Sequence, residues 1–183
     1  KGASTTSAPA NLVVAAVAPS GQTTVTLQRG QGTSTAVDTY LSVYHQTLNF
    51  GTTQLMERNG YYVPLFRFAI FQSEGGPVPN GAFIVSATMS VYKYSSYDMA
   101  YGLRRLLNDW SEQTATGQLR KTGVAWATPG ANSLGQDIAA STDATGSSGF
   151  DPGWINFDLT ASVQQMSLSS PLVNYGWRMM PFS

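Results

Sequence analysis

Apolar and polar residues alternate in short runs along this chain, and turn-forming clusters separate the runs. TTVTLQ at 23–28 places Val25 and Leu27 on one face. YVPLFRFAIF at 62–71 sets Phe66, Phe68 and Ile70 on one face and Leu65, Arg67 and Ala69 on the other. FIVSATMSVYKY at 83–94 groups Ala87, Met89 and Val91 and leaves Thr88, Ser90, Tyr92 and Tyr94 opposite. WINFDLTASV at 154–163 groups Ile155, Phe157 and Leu159. The intervening turns are RGQG, NFG, RNG, EGGPVPNG, TPGAN, TGSSGFDPG and NYG. A period of two between Gly, Pro and Asn clusters predicts strands, and many short strands predict a sandwich or barrel.

Helix signals are scarce. LRRLLNDWSEQ at 103–113 reads as a strand ending near Leu107, followed by a turn at Asn108 and Asp109. TASVQQM at 160–166 predicts one helical turn with Thr160 as its N-cap. Residues 127–153 are rich in Gly, Ser and Ala and read as long loops, the kind of segment that carries ligands on a rigid sandwich. Ahead of the first alternating strand lie a polar tail, KGASTTSAPA, and an isolated apolar run, NLVVAAVA at 11–18.

The order of motifs resembles the DNRLRE-domain family. VTLQ, then DTYL from Asp38, then NFG from Asn49 resemble that family's opening. LFRFAI from Leu65 and PNGAFIVSATMSVYKY resemble two of its strands. NDWSEQTAT from Asn108 resembles its W-x-E-x-x-x-T segment. WATPGA from Trp126, INFDLTASVQQM from Ile155 and NYGWRM from Asn174 fit its later segments. The likeness covers about residues 23–183. It implies an all-β jelly-roll sandwich. It also implies an extracellular setting and, as in some family members, a carbohydrate-binding role with acidic polysaccharide such as alginate among the ligands.

The resemblance departs in two places. Gly117 follows Thr116 where the family usually carries Trp. After NYGWRM the chain stops at Phe182-Ser183, where the family continues to a closing strand. The expected organisation is an N-terminal extension, residues 1–22, followed by a sandwich, residues 23–183. A sandwich short of one strand leaves unpaired backbone groups and an apolar slot. Leu12, Val13, Val14, Ala15, Ala16 and Val17 are the candidate strand to fill it. Donated to an adjacent copy, that strand forms a head-to-tail contact that grows into a filament. Folded back, it closes its own domain; if instead the sequence is truncated at its end, the N-terminal tail is a linker.

Composition limits the other functions. The chain has 183 residues, 42% hydrophobic and 11% charged, enough for a real core. Its 10 basic and 10 acidic side chains cancel, which argues against a nucleic-acid partner. The absence of cysteine excludes a disulfide framework, a thiolate zinc site and a cysteine nucleophile. No apolar run approaches the roughly 20 residues of a membrane helix. Secretion is the expectation: the sequence starts at Lys1 without Met, as a processed protein does and as a trimmed one does too.

Catalytic chemistry finds little support. His45, the single histidine, has no G-x-S-x-G elbow to serve and reads as a surface or loop residue. Glu57, Glu74 and Glu112 do not pair as glycosidase carboxylates, and Glu112 reads as a loop-holding residue. Asp137, Asp143 and Asp151 fall in the long loop region, lack calcium-loop spacing and read as turn chemistry, whereas Asp158 belongs to the FDLT strand. No catalysis, cofactor or metal is expected. Trp110, Trp126, Trp154 and Trp177 read mostly as core. If their strands are neighbours, Tyr92, Tyr94 and Arg67 form a glycan-binding patch that Arg104 and Arg178 join, the arginines pairing with uronate carboxylates. The expected partners are copies of the chain itself and a polysaccharide.

Overall fold

The computed structural model describes residues 10–18, 21–31, 35–53, 61–168 and 172–182. The tail before Ala10, Gly32 of the first turn, Glu57, the RNG turn at 58–60 and Ser183 lie outside the described residues. In chain order the strands are β1 (Asn11–Ala18), β2 (Gly21–Gln28), β3 (Ala36–Ser42), β4 (Tyr62–Phe68), β5 (Phe83–Lys93) and β6 (Tyr101–Arg105). They continue as β7 (Leu119–Lys121), β8 (Val124–Ala125), β9 (Ala144–Gly146), β10 (Gly153–Asp158) and β11 (Trp177–Pro181). A helix, α1 (Thr160–Ser167), precedes β11.

The alternating runs become two facing sheets, an all-β sandwich as expected. One sheet is four-stranded in the order β10-β5-β1-β2, the other five-stranded in the order β3-β4-β11-β6-β9, and β7-β8 form a small ribbon. The named pairs of the two large sheets are antiparallel. Leu12, Val14, Ala16, Leu27, Ala87, Met89, Ile155 and Phe157 meet Phe66, Phe68, Leu103 and Trp177 in one core between the sheets. Their parity on each strand is the reason: every second residue points inward.

The five-stranded sheet is buried on its other face too. Leu41, Val63 and Leu65 pack there against Leu106, Trp110, Ala115, Trp126, Ala131 and Ile138. Residues 106–138 thus form a third layer, which is why β4 carries apolar residues on both faces. Asp137 holds this layer's turns by accepting the N–H groups of Ala127, Thr128 and Ser133 at 2.8, 2.9 and 3.1 Å. Gly117 belongs to the same layer. A Cβ there would overlap the Ser42 carbonyl, so the tryptophan of the resembling family has no room. Residues 127–153 are mostly loop, but they also contain β9.

The apolar N-terminal run is an interior strand. β1 pairs with β2 along its whole length, from Asn11 opposite Gln28 to Ala18 opposite Gly21. Its other edge pairs with β5, from Asn11 opposite Ser90 to Val17 opposite Phe83, with an irregularity between Ala15 and Ala16. Residues 11–18 therefore close the sandwich of their own chain. The expected boundary at residue 22 falls inside β2, and the extension is part of the four-stranded sheet.

The helix is present, but Thr160 is not its N-cap. Leu159 occupies the cap position with no side-chain bond, and Thr160 is the first helical residue. Asp158 replaces the expected cap, accepting the Thr160 N–H at 3.0 Å and the Thr160 hydroxyl at 2.6 Å. The Thr160 hydroxyl in turn accepts the Ala87 N–H at 3.0 Å, and Gln164 Oε1 accepts that of Ile84 at 2.8 Å. α1 thus covers the edge of β5 where β10 has ended, a common way to blunt a sheet edge.

Candidate functional site

Two features of the four-stranded sheet carry functional potential: the interior strand β1 and the sheet's outer face. In β1, Leu12, Val14 and Ala16 are fully buried. Val13 and Ala15 are half-buried and Val17 is exposed, all on the outer face. The six candidate donor residues therefore split by parity, three into the core and three outward.

The outer face reads across the strands from the register. One row joins Trp154 of β10 to Tyr92 of β5. The next joins Asn156, Ser90, Asn11 and Gln28. Then follow Asp158, Thr88, Val13 and Thr26, and beyond them Ser86, Ala15 and Thr24. Phe83, Val17 and Gln22 end the face. Amides, hydroxyls and small apolar groups fill its middle, and Ser90 Oγ lies 2.7 Å from Asn156 Oδ1.

Aromatic rings gather at one end of this face. The Tyr92 and Trp154 rings meet edge to face at 5.4 Å, and those of Tyr92 and Tyr94 do so at 5.0 Å. Trp154 is 43% exposed, so the expectation of core tryptophans holds for Trp110, Trp126 and Trp177 but not here. The adjoining loops are tied by Lys93, which is buried and donates to the carbonyls of Tyr97, Gly149 and Phe150. The Tyr97 and Phe150 side chains remain largely exposed beside it. Ring faces held partly in water, with amides and hydroxyls alongside, suit the C–H faces and hydroxyls of sugars.

The expected arginines are not part of this patch. β4 and β5 lie in different sheets, so Arg67 is separated from Tyr92 and Tyr94 by the sandwich. The Arg67 guanidinium lies 5.7 Å from the Trp110 ring centroid. Arg104 and Arg178 face one another across β6 and β11 in that same sheet. Arg178 is buried, its Nε donating to the Gly130 carbonyl and its Nη2 to Asn132 Oδ1, both at 3.1 Å. Arg104 Nη1 donates to the carbonyls of Ala139 and Ala140. All three fasten the third layer to the sheet rather than presenting cations to a ligand. Trp154 and Asn156 are the residues the sequence argument missed. Ile155 and Phe157 pointing inward already required them to point outward.

Glu112, Glu74 and Asp143 have structural partners. Glu112 Oε1 accepts the Asp38 N–H at 3.0 Å and pairs with Arg29 at 2.8 Å, so it holds a loop. Burial pushes the Asp38 carboxyl above its usual range, although Arg29 opposes the shift. Glu74 accepts the Ile70 N–H and the Asn174 side-chain amide. Asp143 pairs with Arg105 and accepts the Trp177 indole N–H at 3.1 Å. His45 is exposed, and its backbone N–H donates to Ser42 Oγ. Among the described residues no cluster of acidic, histidine or cysteine side chains is placed to hold a metal ion. In comparison with known proteins, the chain matches no family model, no curated protein and no solved structure.

Proposed function

We propose that this chain is a non-catalytic extracellular structural subunit that assembles head to tail by exchanging its N-terminal strand. The observation that supports this reading is the place of β1, an N-terminal strand in an interior position of its sheet. An interior strand whose removal opens both a ladder and a core is one that a neighbour can supply. Without β1 the β5 edge is unpaired and the core opens where Leu12, Val14 and Ala16 sit. A second copy presenting the same strand restores the same ladder and burial, so exchange needs no new interface. Negative-stain electron microscopy of the intact chain beside one lacking residues 1–20 tests this. Filaments from the intact chain alone support it, and monodisperse particles at every concentration reject it.

A second reading, a carbohydrate-binding module, is favoured by the exposed Trp154–Tyr92–Tyr94 cluster. With the arginines on the other sheet, the ligand suited to this face is a neutral polysaccharide rather than an alginate-like one. The two readings are compatible, since the aromatic cluster is carried by β10, β5 and the residue that follows β5, none of which is exchanged. Affinity electrophoresis against neutral and acidic polysaccharides separates them. Retardation by neither removes the second reading.

A further inference from the structure

We infer that the unit exchanged between copies is the whole β1–β2 hairpin, residues 11–28, rather than β1 alone. This rests on the strand-exchange reading above and specifies what moves. β2 stands at the end of its sheet, and among the described residues its one strand neighbour is β1. If β1 left by itself, β2 would lose its whole ladder, and Leu27 and Val25 would lose the strand beside them. Single-strand donation breaks two ladders, β1 with β2 and β1 with β5. Hairpin donation breaks only the second.

The register supports the same unit. Ala18 lies opposite Gly21, so β1 and β2 pair up to their adjoining ends, two residues apart in the sequence. Leu12 opposite Leu27 and Val14 opposite Val25 give the hairpin a continuous apolar face of its own. The hairpin therefore carries its pairing and its share of the core with it. It is joined to the rest of the sandwich by one chain connection, which leaves at Arg29. There Arg29 Nη1 is held at 2.8 Å by both Asp38 and Glu112. These contacts fix the exit point of the hairpin while its strands engage β5.

Paired cysteines in this cysteine-free chain distinguish the arrangements. Val13→Cys with Thr88→Cys spans β1 and β5, whereas Val13→Cys with Thr26→Cys spans the two strands of the hairpin. All three side chains lie on the outer face, so the core is untouched. Each double variant is assembled at high concentration, treated with a short thiol-to-thiol crosslinker, and run on a denaturing gel. Dilute monomer crosslinked within its own chain serves as the reach control for both pairs. The expected result is a ladder of covalent multimers from the β1–β5 pair and monomers alone from the hairpin pair. Ladders from both pairs mean that β1 is donated singly, which overturns this inference and leaves strand exchange standing. Monomers from both pairs overturn strand exchange itself, and this inference with it.

Discussion

Arg29 and Glu112 are paired at 2.8 Å across the sequence, and the same guanidinium nitrogen lies 2.8 Å from Asp38. Asp38 is the less comfortable partner. Desolvation raises its pKa, the Arg29 charge opposes this, and the Glu112 charge adds to it. A carboxyl whose pKa is raised on folding binds its proton more tightly in the folded state. Stability from this group therefore increases as pH falls through the raised value toward the unfolded one, and is lower once Asp38 ionises. Arg29→Ala removes the opposing charge. It should cost on the order of 1 kcal/mol at neutral pH, with part of the loss recovered in mild acid. Urea denaturation at both pH values checks this, and an equal loss at both contradicts it.

Leu12 and Val17 lie on the same strand but face opposite ways. Leu12 is fully buried, and Leu12→Ala should destabilise the fold by about 2–5 kcal/mol. Val17 is 38% exposed, and Val17→Ala should change stability by less than about 0.5 kcal/mol. Comparable denaturation midpoints for the two variants would mean that β1 is not an interior strand in solution.

Trp154→Ala removes a ring that packs on Tyr92 but contributes little to the core. Binding to a neutral polysaccharide should weaken about tenfold, equivalent to ~1.4 kcal/mol. The melting temperature should stay close to that of the parent. Arg67→Ala should leave binding unchanged, since Arg67 lies in the other sheet. The reverse outcome in affinity electrophoresis would move the ligand site to the five-stranded sheet.

Asp158 behaves oppositely to Asp38. The Thr160 hydroxyl, and then the Thr160 N–H, hold its carboxyl below its ordinary range. The stability it supplies is present above its unfolded pKa and is lost as pH falls through the depressed folded value. Asp158→Ala should cost about 1 kcal/mol at neutral pH, as loss of a hydrogen-bond acceptor does. In strong acid the variant and parent should converge. A pH-independent difference between their unfolding curves would assign the effect to packing instead.

Gly176 has φ +84, and a Cβ there would overlap the Phe66 carbonyl oxygen. Asn174 braces the same turn, donating to the Phe68 carbonyl at 2.8 Å and accepting the Gly176 N–H at 3.1 Å. Gly176→Ala should therefore destabilise by more than ~1 kcal/mol, whereas Gly81→Ala, with φ +75 and open space around it, should cost less. Thermal melts of the pair separate crowding from backbone strain.

Much of the fold was legible because parity survives without knowledge of partners. Val25, Leu27, Phe66, Phe68, Ala87, Met89, Ile155 and Phe157 all enter the core their alternation indicated. Parity names a face of a strand but not the sheet to which the strand belongs. Arg67 and Tyr92 each sit opposite their strand's inward residues, yet β4 and β5 part into different sheets. Residues 127–153 read as loop because they are rich in Gly, Ser and Ala, and the residues they bury, such as Ala131 and Ile138, arrive from separate turns. The N-terminal run was recognisable as a strand. Its place was not, because Val13 and Ala15 blur the alternation in a strand flanked on both edges.

The outer face of the four-stranded sheet has one further consequence. Along its rows from Trp154 to Val17, Asp158 is the one charged side chain among the described residues, and it is occupied with Thr160. Dissolved ions weaken contacts by screening charge, over a Debye length that shrinks from roughly 30 Å at 0.01 M to roughly 3 Å at 1 M. Ring faces, amides and hydroxyls offer nothing to screen. A ligand held here would be held equally well in fresh water and in brine.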